Sequence, residues 1–309
     1  MPNTVNSVEK ASSKKLIVIA GPTAVGKTSM AIEIAQAFSC EILSFDSRQF
    51  YRELEIGSAP PSSQELELVP HHFIMDRSVR EELNAAAFAK EAEARIEERF
   101  QDHDHLVLVG GSGLYLQALI EGFDDIPEVH PKHREALNQK FTAEGIKALQ
   151  TELEAKDPEY YQIVDINNPQ RIIRALEVIR DTGKAFSSFR QQSRKKLPYS
   201  LKQFVLEEDR EVLYDRINQR VDLMIDAGLE NEAESLIGEQ KRSSLQTVGY
   251  KEFFKHFAGE YDLAHCIEEI KKNSRRYAKR QITWFKRKEE MQWFYRKDTE
   301  GILRSIANA

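Results

Sequence analysis

Gly21-Pro-Thr-Ala-Val-Gly-Lys27-Thr28 has the residue types and spacing of a phosphate cradle, G-x-x-x-x-G-K-[ST]. A turn of this kind aims several backbone N–H groups and a helix N-terminus at one point, where an anion can sit. The candidate donor-binding residues are therefore Gly21, Pro22, Thr23, Ala24, Val25, Gly26, Lys27 and Thr28. Lys27 adds a point charge, and the Thr28 hydroxyl can hold Mg²⁺. A chance match is the alternative, and the context argues against it. The apolar run Leu16–Ala20 precedes the motif, and Met30, Ile34 and Phe38 recur every four residues behind it, as strand, turn and helix require. The chain is expected to bind a di- or triphosphate.

Asp46 is the second chemical candidate, because it ends the apolar run Glu41–Phe45. Two roles fit it: a carboxylate that holds Mg²⁺ through water, or a base that takes a proton from an acceptor. Capping of the following turn is the structural alternative. Leu106-Val-Leu-Val109 runs into Gly110-Gly111 where an NTP hydrolase would carry an Asp. That favours a transferase whose loop holds a diphosphate leaving group.

The elements that must position these residues follow from periodicity. Lys15–Ala20, Glu41–Phe45 and Leu106–Val109 read as strands, and Leu83–Phe100 reads as an Ala-rich amphipathic helix between the last two. Alternating strands and helices predict an α/β fold, a doubly wound parallel sheet of P-loop NTPase-like type. Its site lies beyond the carboxyl ends of the strands, at Gly21–Thr28, Asp46–Tyr51 and Gly110–Tyr115. The segment 123–199 is polar, helix-rich and broken by Pro127, Pro131, Pro158, Pro169 and Pro198. It is expected to be a helical insertion into a core made of 15–122 and 200–309, with 1–14 a loose tail. Gln203–Leu206 and Met291–Tyr295 read as further strands, and Arg210–Asp226 as a helix. In that helix Leu213, Ile217, Val221 and Met224 make the inward stripe, with Arg220 at its edge and Arg216 further round. An arginine at such an edge can meet a diphosphate, or simply snorkel or pair with a carboxylate.

The chain of 309 residues is 41% hydrophobic and 30% charged, with no apolar run near the ~20 residues of a membrane span. The polar start lacks the apolar region of a signal peptide. Cys40 and Cys266 are isolated, which fits a reducing cytoplasm and no zinc site. A formal net charge of −6 argues against a polyanionic partner only if the charge is spread evenly. It is not, because Lys271–Lys288 holds nine basic residues and no acidic one. Lys272, Arg276, Lys279 and Lys286 can share a helical face, with Tyr277, Trp284 and Phe285 interleaved. The run is either a phosphate-tracking patch or a solvated helix with its aromatics packed inward.

GPTAVGKT, ILSFDSRQFY, VPHHFI, VGGSGLY, NPQRIIRALEVI, TVGYKE and KRQITWFK occur in this order from about Lys15 to Trp293. In this the chain resembles the tRNA dimethylallyltransferase (isopentenyltransferase) family of bacterial type. The resemblance implies transfer of a dimethylallyl group from dimethylallyl diphosphate to N6 of adenosine 37, beside the anticodon, in tRNAs reading codons that start with U. It implies Mg²⁺ as cofactor, the tRNA anticodon stem-loop as partner, and a cytoplasmic monomer. By the same resemblance Asp46, Lys27, Thr23 and Arg220 carry catalysis, Arg220 being preferred over Arg216. Asp46, Ser47, Arg48, Gln49, Ser112, Arg134, Gln170, Arg171, Ile172, Ile173 and Arg174 fall at or near tRNA contacts.

The chain also departs from the pattern. Ser112 replaces a usual Thr, Pro60 replaces a usual lysine, and no zinc-finger extension follows the core. Adjacent His71 and His72 do not converge on a metal from one strand, so a structural role is expected. Three rivals remain: a P-loop small-molecule kinase, an adenylate isopentenyltransferase acting on free nucleotide, and a non-catalytic RNA-binding module. Turnover of ATP marks the first. The long insertion speaks against the second, and absence of product with Asp46 intact marks the third.

Overall fold

The computed structural model describes residues 14–124, 126–190 and 195–308, so the expected tail lies outside the described residues except for Lys14. Two compact units result. One runs to Ile120 and resumes at Lys196; the other is Glu121–Lys195.

The larger unit opens with β1 (Lys15–Ala20), α1 (Lys27–Ala37), β2 (Ile42–Ser44), α2 (Ser63–Leu68) and β3 (His71–His72). It continues with α3 (Ala85–Arg99), β4 (His105–Gly110) and α4 (Gly113–Ile120). The smaller unit holds α5 (Pro131–Glu144), α6 (Ile146–Lys156), α7 (Pro158–Ile163) and α8 (Pro169–Thr182). The larger unit then adds β5 (Ser200–Glu207), α9 (Arg210–Asp226), α10 (Leu229–Ser235) and α11 (Tyr250–Phe257). It closes with α12 (Leu263–Phe285), β6 (Gln292–Tyr295) and α13 (Thr299–Ala307).

Six strands form one parallel sheet in the order β3-β2-β4-β1-β5-β6. This is the expected α/β, P-loop NTPase-like architecture. Strand β3 was not legible, because two histidines at a sheet edge carry no apolar period. His72 accepts from Arg95 Nη1 at Nδ1 and donates from Nε2 to Glu41 (2.7 Å each), and His71 is bonded to the Val69 carbonyl (2.8 Å). Neither histidine joins a metal cluster among the described residues.

Side chains alternate across a strand, so a central strand must satisfy two cores. Leu16, Val18 and Ala20 of β1 pack in one cluster, and Ile17 and Ile19 in the other. Leu106 and Leu108 of β4 divide from Val107 and Val109 in the same way. One cluster is closed by α3, α4 and α11, the other by α1, α9 and α13. Strand β1 lies between β4 and β5, with Ala20 level with Gly110 and Val205. Connections from β1 and β4 leave toward opposite sides of the sheet, and a crevice opens beyond their ends.

The smaller unit has its own core of Leu137, Leu149, Leu153, Ile172, Ile173, Leu176 and Ile179. Ile172 and Ile173 are 0% and 1% exposed, so their side chains belong to the core and only their backbone is left for the expected contact with RNA. Each such side chain contributes roughly 1.5–3 kcal/mol by staying buried, so neither leaves the core for a ligand. Arg134 and Arg174 also have a structural task. They donate to the buried carboxylate of Glu177, Arg134 through two bonds of 2.6 and 2.9 Å and Arg174 through one of 2.7 Å. Burial alone would raise Glu177, but these bonds outweigh it and hold the group below its usual range. Removing the arginines would strand a buried charge at a cost on the order of 3 kcal/mol. Gln170 and Arg171 are exposed, as is Arg134 apart from its bonds to Glu177.

Candidate active site

The phosphate cradle forms because β1 ends at Ala20 and α1 begins at Lys27, leaving six residues to reverse the chain. Ala24 (φ 64°) and Gly26 (φ 104°) take left-handed backbone in that turn. Gly26 is the N-cap and offers no side chain, so the first amides of α1 stay free for an anion. A cleft of about 310 Å³ lies over them, lined by Lys27, Thr28, Asp46, Arg216 and Arg220 among others. Pro22 and Val25 are buried and take part through backbone only.

Lys27 donates to the Pro22 carbonyl at 2.9 Å, which curls its ammonium over the turn. Burial lowers its pKa, Asp46 raises it and Arg220 lowers it again, for a value of about 8. An anion in the cleft pulls that value back up, so binding takes up a proton where the free group is neutral. Pyrophosphate affinity should therefore weaken as pH rises above about 8, by up to tenfold per pH unit. Calorimetry in two buffers of different ionisation heat reads the proton uptake. Lys27→Arg, which stays charged, should leave only the ligand's own titration. An identical pH profile in that variant would mean that Lys27 does not meet the phosphate.

Arg220 donates from Nη2 to Thr23 Oγ1, while its buried Nε has no partner among the described residues. Arg216 also reaches the cleft and donates from Nε to the Ala24 carbonyl at 2.8 Å. The sequence pattern set Arg216 too far round. Its long side chain reaches the loop from there.

Asp46 follows β2 and shows the capping geometry as well as the chemical placement. Its Oδ1 accepts from Arg48 N at 3.1 Å, and its own N–H donates to Ser44 Oγ at 3.2 Å. Its other oxygen has no hydrogen bond among the described residues. Asp46, Thr23, Ser58 and Arg220 line both the phosphate cleft and a second cavity of about 350 Å³. Ser47, Arg48 and Ser112 join Asp46 in that second cavity. Ser112 Oγ accepts from Ser47 N at 3.0 Å and donates to Ser47 Oγ at 3.1 Å. Gln49 does not join them. Its amide accepts from Ser44 Oγ (3.2 Å) and donates to the Ala59 carbonyl (2.9 Å), in the wall of the phosphate cleft.

Helix α12 supplies residues that the sequence reading did not assign to the site. Ile270, Ser274, Tyr277, Gln281 and Trp284 recur at three- and four-residue spacing and line the second cavity together. Tyr277 is pushed up to about 12 by burial and by Asp46, so it remains a hydroxyl at neutral pH. Gln281 accepts from Thr23 N at 2.8 Å and donates to the Gly111 carbonyl at 2.9 Å. A Cβ at Gly111 would stand 2.2 Å from Gln281 Nε2, and one at Gly113 would stand 2.3 Å from the Trp284 ring. The glycines of VGGSGLY thus give the helix room to close the cavity. Val221, Met224, Leu229 and Val248 add an apolar part to the lining.

The basic run on α12 divides along its length. Lys271 pairs with Asp222 and Glu268, and Lys272 with Glu269. Arg276, Lys279, Arg280 and Arg287 are exposed and make no ion pair among the described residues. These four cluster around Trp284. Phe285 is core, as an inward-packed aromatic would be.

A family model described as IPP transferase matches residues 49–288. The tRNA dimethylallyltransferase of Flavobacterium johnsoniae is 46% identical over 300 residues, covering 95% of this chain and 97% of that protein. That of Christiangramia forsetii is 49% identical over 282 residues, covering 91% and 93%. Among solved structures, the tRNA isopentenylpyrophosphate transferase of Bacillus halodurans superposes with a TM-score of 0.71 at 38% identity, over 96% of both chains. A eukaryotic dimethylallyltransferase acting on tRNA gives 0.77 at 28% identity, over 95% of this chain and 78% of that one. No described helix is long and apolar enough to cross a membrane. With its motifs, its cradle and its sheet in agreement with these relatives along nearly its whole length, the chain belongs to the IPP transferase family.

Proposed function

We propose that this protein transfers a dimethylallyl group from dimethylallyl diphosphate to N6 of adenosine 37 in tRNAs reading codons that start with U, releasing diphosphate. The observation that carries the reading is the pair of adjoining cavities that share Thr23, Asp46 and Arg220. One suits a diphosphate; the other combines polar and apolar walls and suits a base with a short prenyl chain. The C1–O bond of the donor breaks as N6 bonds to C1, and the electron pair leaves on the diphosphate. The amides of the cradle, Lys27 and Arg220 stabilise that charge. Adenine N6 is a weak nucleophile, and the free oxygen of Asp46 orients it and takes its proton.

The cleft also fits Mg²⁺, because the Thr28 hydroxyl faces it as a hard oxygen donor beside the place of the diphosphate. One protein ligand suits a cation that keeps water and phosphate ligands, and it would neutralise the leaving group when bound. On this reading the protein is a monomer and works in the cytoplasm, where its tRNA substrate is. The target base must leave its stack to enter the cavity.

Incubation with labelled dimethylallyl diphosphate and unmodified tRNA tests the proposal through label in N6-modified adenosine. Turnover of ATP with no labelled tRNA would indicate a kinase instead. Arg276, Lys279 and Arg287 are assigned to the RNA backbone. Changing all three to Gln should flatten the log–log salt slope of tRNA binding by up to about 2 to 3, each phosphate contributing ~0.7–0.9. Pyrophosphate affinity should stay as it was. An unchanged slope would make that face a merely solvated one.

A further inference from the structure

We infer that Gln281 is a positioning residue for the transfer step, holding the partition between the acceptor cavity and the diphosphate cleft; the role rests on the function proposed above. Its side chain is 6% exposed and its two ends are used in opposite senses. Oε1 accepts from the Thr23 amide, and Nε2 donates to the Gly111 carbonyl. These contacts join the loop after β1 to the loop after β4 at the crevice between the two strands. Thr23 in turn carries the hydroxyl that receives Arg220. A single amide therefore fixes where the leaving-group arginine stands relative to the wall that the acceptor base must meet.

Glutamine suits the position better than its neighbours in chemistry. An ionised carboxylate offers no donor for the Gly111 carbonyl, Asn is one methylene short, and Leu or Met offers neither group. The partners also fix the orientation of the amide, since an N–H faces one end and a carbonyl the other. The same contact takes the Thr23 N–H away from any phosphate. Losing Gln281 therefore removes no donor from the diphosphate and leaves one more free. The role predicts damage to the transition state with little damage to donor binding.

Gln281→Leu and Gln281→Glu are compared with the wild-type protein for turnover, for KM toward dimethylallyl diphosphate, and for pyrophosphate affinity by calorimetry. In Gln281→Leu, kcat should fall by about 10- to 100-fold, the scale of a reacting group displaced by up to about 1 Å. KM and pyrophosphate affinity should stay within about threefold, with melting and circular dichroism serving as controls for the fold. Gln281→Glu should be similarly slow at pH 8. It should recover as pH falls toward 6, because a protonated carboxyl can accept from Thr23 and donate to Gly111 as the amide does. Unchanged kcat in a folded Gln281→Leu variant would overturn the role. So would a loss of pyrophosphate affinity as large as the loss of kcat, or a Gln281→Glu profile parallel to that of the wild type. No transfer by the wild-type protein would overturn the functional reading itself, and this role with it.

Discussion

Asp46→Asn should lower turnover by about 10²-fold or more while tRNA and pyrophosphate still bind, the scale of a lost general base. The choice of Asn over Ala separates two roles that coincide in this residue. Asp46 caps its turn by accepting from Arg48 N, and an Asn carbonyl can do the same. Only the carboxylate can take the proton from N6. A variant that folds, binds both ligands and reacts slowly therefore isolates the base. Single-turnover rates with a saturating anticodon stem-loop give the measurement, and Asp46→Ala shows what losing the cap adds. If the Asn variant reacts near the wild-type rate, Asp46 is a cap and the proton leaves by another route.

The second large effect belongs to Arg220→Ala, which should slow transfer by about 10²- to 10³-fold, as removal of a preorganised donor to developing charge commonly does. Arg220 is enclosed between both cavities, and burial pulls its pKa down while Asp46 opposes the shift. Its Nε–H is buried without a partner among the described residues. Such a donor is costly to keep unless a ligand satisfies it. Pyrophosphate affinity should fall together with turnover. Arg216→Ala provides the contrast, because its Nε is already engaged by the Ala24 carbonyl. A larger loss of pyrophosphate affinity in Arg216→Ala than in Arg220→Ala would transfer the leaving-group role to Arg216.

What the sequence by itself determined is what local chemistry encodes. The segment Lys15–Phe38 encodes a strand, a turn and a helix in its own apolar pattern and its glycines, without help from the rest of the chain. The apolar runs of β1 and β4 had to be buried on both faces, which makes a parallel sheet and puts Asp46 and Gly110 beside the cradle. The motif order along the chain identified the family. Only the tertiary structure decided which partner a long side chain would choose. Arg134 and Arg174 look like free cations in a list of residues, yet both turn to Glu177, a carboxylate whose burial no local pattern reveals. Arg216 returns to a loop 192 residues earlier in the chain. Tyr277, Gln281 and Trp284 read from sequence as members of a basic helix. All three became pocket walls, Gln281 and Trp284 because Gly111 and Gly113, more than 160 positions away, left room for them. Periodicity tells which face of a helix is covered, but not by what. The covering partner is set by long-range packing, where the energy of one buried contact depends on every element that encloses it.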